Sequence, residues 1–184
     1  MTNLNSLNRQ SLGEEIANAV SHGIGTLLAV IGTVILIVYA AYNSSVSGVV
    51  SASIYGFCLI FLYLMSTLYH ALTNNTAKKI FQVLDHCSIF LLILGSYVPI
   101  CLVLLPPELG WRLLGINLLL TVVGITLNAI SLNKWKKLSL LLYVYGLVCY
   151  YCITVPLADA FCRCVDTVGQ RRIGLHDRYI FLCG

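Results

Sequence analysis

The stretch Val49–Leu72 reads VVSASIYGFCLIFLYLMSTLYHAL and contains no Asp, Glu, Lys or Arg. The hydrocarbon core of a bilayer is about 30 Å thick and a helix rises about 1.5 Å per residue, so about 20 apolar residues cross it. A helix also satisfies its own backbone hydrogen-bonding groups, which lipid cannot do. The stretch is therefore predicted to be a transmembrane helix.

Four further stretches have the same character, and none of them contains Lys or Arg. The five predicted spans are residues 24–41, 49–72, 87–105, 113–132 and 138–157. The connections between them are short, and in Pro106–Gly110 two prolines stop the preceding helix. Short connections make successive helices antiparallel neighbours. We therefore predict an all-α integral membrane protein built as one compact bundle.

The composition agrees with a membrane protein. Hydrophobic residues make up 59% of the 184 residues, charged residues make up 10%, and the mean hydropathy is +0.88. A soluble domain holds about 25% charged residues, which it needs to cover its surface. The composition thus excludes a soluble globular domain, a disordered chain and a nucleic-acid-binding protein. The partner that the sequence predicts first is the lipid bilayer.

The basic residues predict the orientation, because Lys and Arg accumulate in cytoplasmic loops. Six of them fall before span one, between spans two and three, or between spans four and five: Arg9, Lys78, Lys79, Lys134, Lys136 and Lys137. The opposite connections up to residue 157 carry only Arg112. We predict a multi-pass protein of the inner (plasma) membrane with a cytoplasmic N-terminus.

Residues 1–23 precede the first span and are largely polar. We expect an amphipathic cytoplasmic segment in which Glu14 and Glu15 lie in the first turn of a helix on the membrane surface. No small-residue cleavage site follows the first apolar run, so a cleavable signal peptide is not predicted. Five of the eight cysteines lie in or beside apolar runs. A thiol there acts as a small hydrophobic group, so a disulfide scaffold is not predicted either.

Ionisable groups at membrane depth are costly, which makes each a candidate functional residue. Ser66 and His70 are four residues apart and so share one face of the second span. Histidine is the commonest metal ligand, and a neighbouring hydroxyl can orient a ligand or a bound water. The alternative is that His70 only meets water and headgroups at the membrane surface.

Two further polar residues fall at the same end of the predicted bundle. Asp85 opens the third span, where a carboxylate either caps the helix or faces inward towards His70. His22 lies just before the first span, beside glycines that let a neighbouring helix approach closely, or it is only an interfacial histidine. A zinc site needs at least three protein ligands, so His22 or His86 would have to join His70 and Asp85.

Several motifs occur in the order typical of the bacterial hemolysin III family, which the chain resembles from about residue 12 to about residue 157. The motifs are Glu14-Glu15-Ile16-Ala17-Asn18-Ala19-Val20-Ser21-His22-Gly23, Ser66-x-x-x-His70, Leu84-Asp85-His86-x-Ser88-Ile89 and Gly95-Ser96-Tyr97-Val98-Pro99. That family belongs with the progestin and adiponectin receptors and, more distantly, with the alkaline ceramidases. The resemblance implies a seven-helix bundle with a cytoplasmic N-terminus.

The resemblance also implies a zinc site. Its ligands are the histidine that matches His70 and a His-x-x-x-His pair in the last helix, while the aspartate that matches Asp85 holds the metal-bound water or a ligand. Ser66 lies beside them as a further catalytic candidate. The implied chemistry is zinc-activated hydrolysis of an amide or ester in a lipid substrate. The other family-motif residues are Glu14, Glu15, His22, His86 and Ser88.

The sequence departs from this family pattern at one place. The 184 residues contain no His-x-x-x-His and no sixth or seventh apolar span, and from about residue 158 the composition becomes polar and rich in Cys and Arg. We predict that residues 158–184 form a non-family tail read from another frame. We also predict that this chain is inactive as a hydrolase.

Three functions are open at this point. The first is a zinc-dependent membrane hydrolase that uses Ser66, His70 and Asp85. The second is a pore-forming, haemolytic protein, although no predicted span carries the regular polar stripe that lines a water-filled pore. The third is a receptor-like scaffold without catalysis.

Overall fold

The computed structural model describes residues 11–151, apart from residues 74, 133 and 136. Three long helices come first: α1 is Leu12–Asn43, α2 is Val46–Ala71 and α3 is Asn75–Pro99. A π-helical segment, Ile100–Leu104, extends α3, and α4 follows as Pro107–Ile130. The last described helix, α5, is Lys137–Tyr151. The described residues contain no strand, which confirms the all-α fold.

Four of these helices are long and apolar enough to cross a bilayer, namely α1, α2, α3 with its π-helical extension, and α4. α5 is also apolar but shorter over its described residues. Residues up to Gly146 pack as one unit, in which α1 contacts α2, α2 contacts α3, and α3 contacts α4. Residues 147–151 continue α5 and belong to a second unit, most of which lies outside the described residues.

α1 begins with a capping box. The Ser11 hydroxyl accepts a hydrogen bond from the Glu14 N–H at 3.3 Å, and the Glu14 carboxylate accepts one from the Ser11 N–H at 2.7 Å. Glu14 and Glu15 lie in the first turn, where the helix dipole stabilises acidic groups. The helix then continues to Asn43 without a break. The surface helix that we expected before the first span is therefore continuous with that span.

α3 begins at Asn75, well ahead of the predicted span 87–105. Asp85 consequently lies more than two turns inside the helix, so of the two alternatives for this residue the N-terminal cap is excluded. Only the first four N–H groups of a helix lack a partner, and a cap must lie next to them. Hydropathy predicts only the apolar part of a helix. The more polar residues before Asp85 are also helical, so α3 begins earlier than the apolar span.

The connection between α3 and α4 is shorter than the Pro106–Gly110 turn that we expected. The N–H of Leu105 donates to the Ile100 carbonyl at 3.0 Å, and only Leu105 and Pro106 separate the two helices. Pro107 is the first residue of α4, where the missing N–H would have had no helical partner. The prolines thus end one helix and start the next.

One face of α4 carries its buried small and polar residues: Gly110, Asn117, Thr121, Gly124 and Asn128. Their spacing of three, four or seven residues places them in one stripe. The stripe packs on α3, because the Thr121 hydroxyl lies 3.5 Å from the Phe90 carbonyl and Gly124 faces the Phe90 ring. The sequence analysis missed this stripe, which serves helix packing in the way that small residues do in membranes.

Gly124→Ala is expected to lower the free energy of unfolding by about 1–3 kcal/mol, because the added Cβ would clash with the buried Phe90 ring. The matched control is Gly115→Ala on the same helix, where no atom lies within 4 Å of the added Cβ. The control should be neutral or slightly stabilising, since Ala favours helix over Gly. Thermal unfolding in detergent measures both, and equal midpoints would contradict the packing assigned to Gly124.

Candidate functional site

Three polar residues meet between α1 and α2, and we call them the histidine cluster: His22, Ser66 and His70. Nδ1 of His22 lies 2.5 Å from the Ser66 hydroxyl, and the tautomer of His22 decides which of the two donates. The rings of His22 and His70 meet edge to face with centroids 5.9 Å apart. Ser66 and His70 therefore face α1 together, as their four-residue spacing indicates.

Small residues of α1 allow this approach. A Cβ at Gly25 would lie 2.8 Å from the Tyr63 ring of α2, which is closer than real Cβ contacts. The ring of Tyr63 also meets His22 edge to face, with centroids 6.0 Å apart. The glycine beside the histidine thus lets the backbone of α1 come near enough for His22 to reach Ser66.

His70 has an unpartnered polar atom. Its Nδ1 is buried and has no hydrogen-bond partner among the described residues, while the ring packs on Tyr69 with centroids 4.6 Å apart. Buried polar atoms nearly always have a partner, because an unmade hydrogen bond costs about 1–3 kcal/mol. Nδ1 of His70 is accordingly available to a ligand that the protein itself does not supply.

Charged residues surround the histidine cluster on one side. The side chains of Asp85, Glu15 and Lys78 lie close enough to His70 to interact with it electrostatically. Lys78 Nζ lies 2.5 Å from a carboxylate oxygen of Glu15, which links the first turn of α1 to that of α3. Asp85 and His70 therefore lie at the same end of the bundle, and no direct hydrogen bond joins these two described residues.

His86 and Ser88 lie next to Asp85 in the chain but have other surroundings. Nδ1 of His86 is buried and 3.6 Å from Asp85, which is too long for a hydrogen bond, while the His86 carbonyl accepts from the Tyr143 hydroxyl at 2.8 Å. Ser88 is fully buried and donates to the Asp85 carbonyl at 2.6 Å. The contacts of His86 are thus with α5, whereas His70 contacts α1.

A buried polar network that the sequence analysis missed joins α3, α4 and α5. The Ser139 hydroxyl donates to the side-chain oxygen of Asn128 at 2.6 Å, and the Asn128 amide donates to the Tyr143 hydroxyl at 3.1 Å. Asn128 is only 2% exposed and Ser139 only 4%. An Asn inside an apolar run was the available sequence signal, since a buried amide needs partners on other helices.

The predicted zinc ligands do not form a complete metal site within the described residues. No group of three His, Cys, Asp or Glu side chains within the described part of the chain is placed to hold a metal ion. Nδ1 of His70 suits one ligand position and Asp85 is near, whereas the Ser66 hydroxyl is engaged by His22. Zinc takes at least three protein ligands, so the described residues alone do not complete a zinc site.

Comparison with known proteins identifies similar chains. A sequence model of the family described as "Haemolysin-III related" matches residues 10–176. The chain is 41% identical over 135 residues to "Hemolysin-3" from Bacillus cereus, covering 73% of this chain and 62% of that protein. It is 40% identical over 134 residues to "Hemolysin-3 homolog" from Bacillus subtilis strain 168, covering 73% and 63%. No solved structure matches.

The family match bears on the prediction that residues 158–184 are a non-family tail. The family match extends to residue 176 and so includes most of the segment 158–184 that we predicted to be foreign to the family. That segment lies outside the described residues, and the reading-frame change stays a prediction. The aligned part of the chain spans less than two thirds of either curated relative.

Ser66→Ala is expected to lower the free energy of unfolding by about 1–3 kcal/mol, because it leaves Nδ1 of His22 without its partner. The matched control is Ser53→Ala on the same helix, whose hydroxyl only donates to the Val49 carbonyl four residues earlier. That substitution should change the free energy by less than about 0.5 kcal/mol. Unfolding in mixed micelles tests both, and equal losses would contradict the role of the interhelical bond.

Proposed function

Because the chain belongs to the haemolysin-III-related family, we propose that its His70 end is part of a zinc-dependent site that hydrolyses an amide or ester bond in a lipid. The membrane location of the helices supports a lipid substrate, since a bond at this depth is reached from within the bilayer. The observation that carries the proposal is the buried, unpartnered Nδ1 of His70, with the Asp85 carboxylate nearby.

Each residue of the site has a separate role in this proposal. His70 would be one metal ligand, and Asp85 would accept a hydrogen bond from a ligand or water beside it. Ser66 orients His22 against the His70 ring, which leaves Nδ1 of His70 free. Bound zinc supplies a Lewis acid and an activated water. A zinc site needs two further ligands besides His70. We propose that the described residues do not catalyse hydrolysis without those ligands.

Zinc binding should depend on His70. In the full-length protein in detergent, His70→Ala is expected to weaken zinc binding by at least tenfold, since even residues that only support ligands change affinity by about 10–100-fold. His86→Gln is the matched control, because it alters a histidine on the α5 side of α3. Competition with a chromophoric chelator gives both affinities.

Two results would overturn the metal proposal. One is equal zinc affinity in the wild type, His70→Ala and His86→Gln, which would mean adventitious binding. The other is a folded wild-type protein that binds no zinc, which would mean that the chain does not supply the two further ligands and would favour the pore-forming or scaffold alternatives for it. Retained zinc that only His70→Ala removes would favour the hydrolase.

We also propose that the N-terminus and the connection between α2 and α3 face the cytoplasm. The support is the distribution of charge, because Lys78 and Lys79 begin α3 at the same end as Glu15 and the start of α1. The connection between α1 and α2, Ser44 and Ser45, carries no charge and would lie outside. The plasma membrane is the proposed location.

Cysteine labelling tests this orientation. Ser45→Cys and Thr73→Cys place a thiol in exposed connections at opposite ends of the bundle. An impermeant maleimide should label Ser45→Cys in intact cells but label Thr73→Cys only after permeabilisation, with the wild type giving the background of the native thiols. The reverse pattern would contradict the proposed orientation.

A further inference from the structure

A second polar site lies between α3, α4 and α5. A cavity of about 260 Å³ is lined by Gln82, His86, Asn128, Ser139 and Tyr143, together with apolar side chains. A second cavity of about 280 Å³ shares Gln82 and Asn128 with the first and adds Lys79. The two adjoining cavities, which we call the α3–α5 cleft, contain none of the histidine cluster.

The walls of the cleft are held by the hydrogen bonds of the buried network. The side chain of Asn128 is bonded through both its oxygen and its nitrogen, to Ser139 and Tyr143. Gln82 donates to the Tyr69 hydroxyl at 3.2 Å. Nδ1 of His86 is buried without a hydrogen-bond partner among the described residues and lies 3.6 Å from the Asp85 carboxylate. The hydrogen bonds of Asn128 and Gln82 therefore hold the walls of the cleft in place before a ligand binds.

The electrostatics of the cleft favour an anion. Neither cavity is lined by a carboxylate, and Lys79 is exposed with no carboxylate within ion-pair distance among the described residues. The carbonyl end of α4 and the amide end of the following helical residues meet at Ser131, whose hydroxyl accepts from the Lys134 N–H at 3.4 Å. Lys79 is the one Lys, Arg, Asp or Glu side chain among the described residues that line the two cavities, so it sets the sign of their charge.

The depth of the cleft corresponds to the level of lipid headgroups. Lys134 lies over the ring of Trp135, 5.4 Å from its centroid, beside the end of α4. Trp and Lys are enriched where a helix meets the membrane surface. Ile89, Leu132 and Leu140 give the cleft an apolar part as well. A ligand that suits it has an anionic head and an apolar body.

We propose that the α3–α5 cleft binds the phosphate headgroup of an anionic phospholipid, with Lys79 at its mouth. Basic pockets between transmembrane helices bind such headgroups in other membrane proteins. Each cavity is slightly smaller than the 300–1,000 Å³ typical of whole-ligand sites, so it suits a headgroup while the acyl chains stay in the bilayer. The proposal does not depend on zinc or on hydrolysis.

Native mass spectrometry of the full-length protein in neutral detergent tests this site. Phosphatidylglycerol is expected to bind at least fivefold more tightly than phosphatidylcholine with the same acyl chains. Lys79→Ala should remove about fivefold of that affinity, the usual effect of one lysine near an anionic headgroup. The matched control is Lys137→Ala, because Lys137 is exposed at the same end of the bundle and lines neither cavity.

A second variant examines the interior of the cleft. Gln82→Leu keeps the approximate side-chain volume but removes an amide that both cavities share, and it should also weaken phosphatidylglycerol binding severalfold. Ser53→Ala, whose hydroxyl donates within α2, should leave the binding unchanged. Helical circular dichroism establishes that each variant is folded.

Three results would overturn the lipid site. Equal losses in Lys79→Ala and Lys137→Ala would indicate general attraction to a basic surface. Equal binding of phosphatidylglycerol and phosphatidylcholine would exclude recognition of negative charge. Displacement of the lipid by an equal concentration of glycerol 1-phosphate would identify a site for soluble phosphate esters instead.

Discussion

The bilayer requires that every polar group inside it find a partner within the protein, and this requirement shapes the whole chain. The backbone meets it by forming helices. Many hydroxyl side chains meet it locally, as Thr33, Ser53 and Thr67 do by donating to the carbonyl four residues earlier in the same helix. Ser66 and Asn128 instead bond to residues of other helices. Ser66 belongs to the histidine cluster and Asn128 lines the α3–α5 cleft, so these interhelical bonds lie at the two proposed sites.

The two places lie on either side of α3. Asp85 and His86 are consecutive, so their side chains leave the helix about 100° apart. Asp85 interacts electrostatically with His70, whereas His86 lines the α3–α5 cleft and has its carbonyl bonded to Tyr143. One turn of α3 therefore serves both the proposed hydrolytic end and the proposed headgroup site. This division also explains why His86 does not complete a metal site with His70.

Both sites depend on close helix packing, although different residues provide it. Between α1 and α2, Gly25 allows His22 to reach Ser66. Between α3 and α4, Gly124 accepts the Phe90 ring and places Asn128 near α5. The Glu15–Lys78 ion pair adds a link at the surface, where such pairs contribute at most about 1 kcal/mol. Packing, more than charge, positions the polar groups.

The amino-acid sequence by itself determined the all-α membrane fold, the family and the shared face of Ser66 and His70, because these follow from hydropathy, helical spacing and local motifs. It did not determine where α3 begins, since polar residues can extend a helix beyond its apolar part, and so Asp85 was open to interpretation as a cap. Only the tertiary structure decided that Ser66 bonds to His22, that His86 lines the α3–α5 cleft, and that the hydrogen bonds of Asn128, Ser139 and Tyr143 connect three helices. These facts depend on how helices pack against one another, and that packing leaves no periodic signal in any single helix.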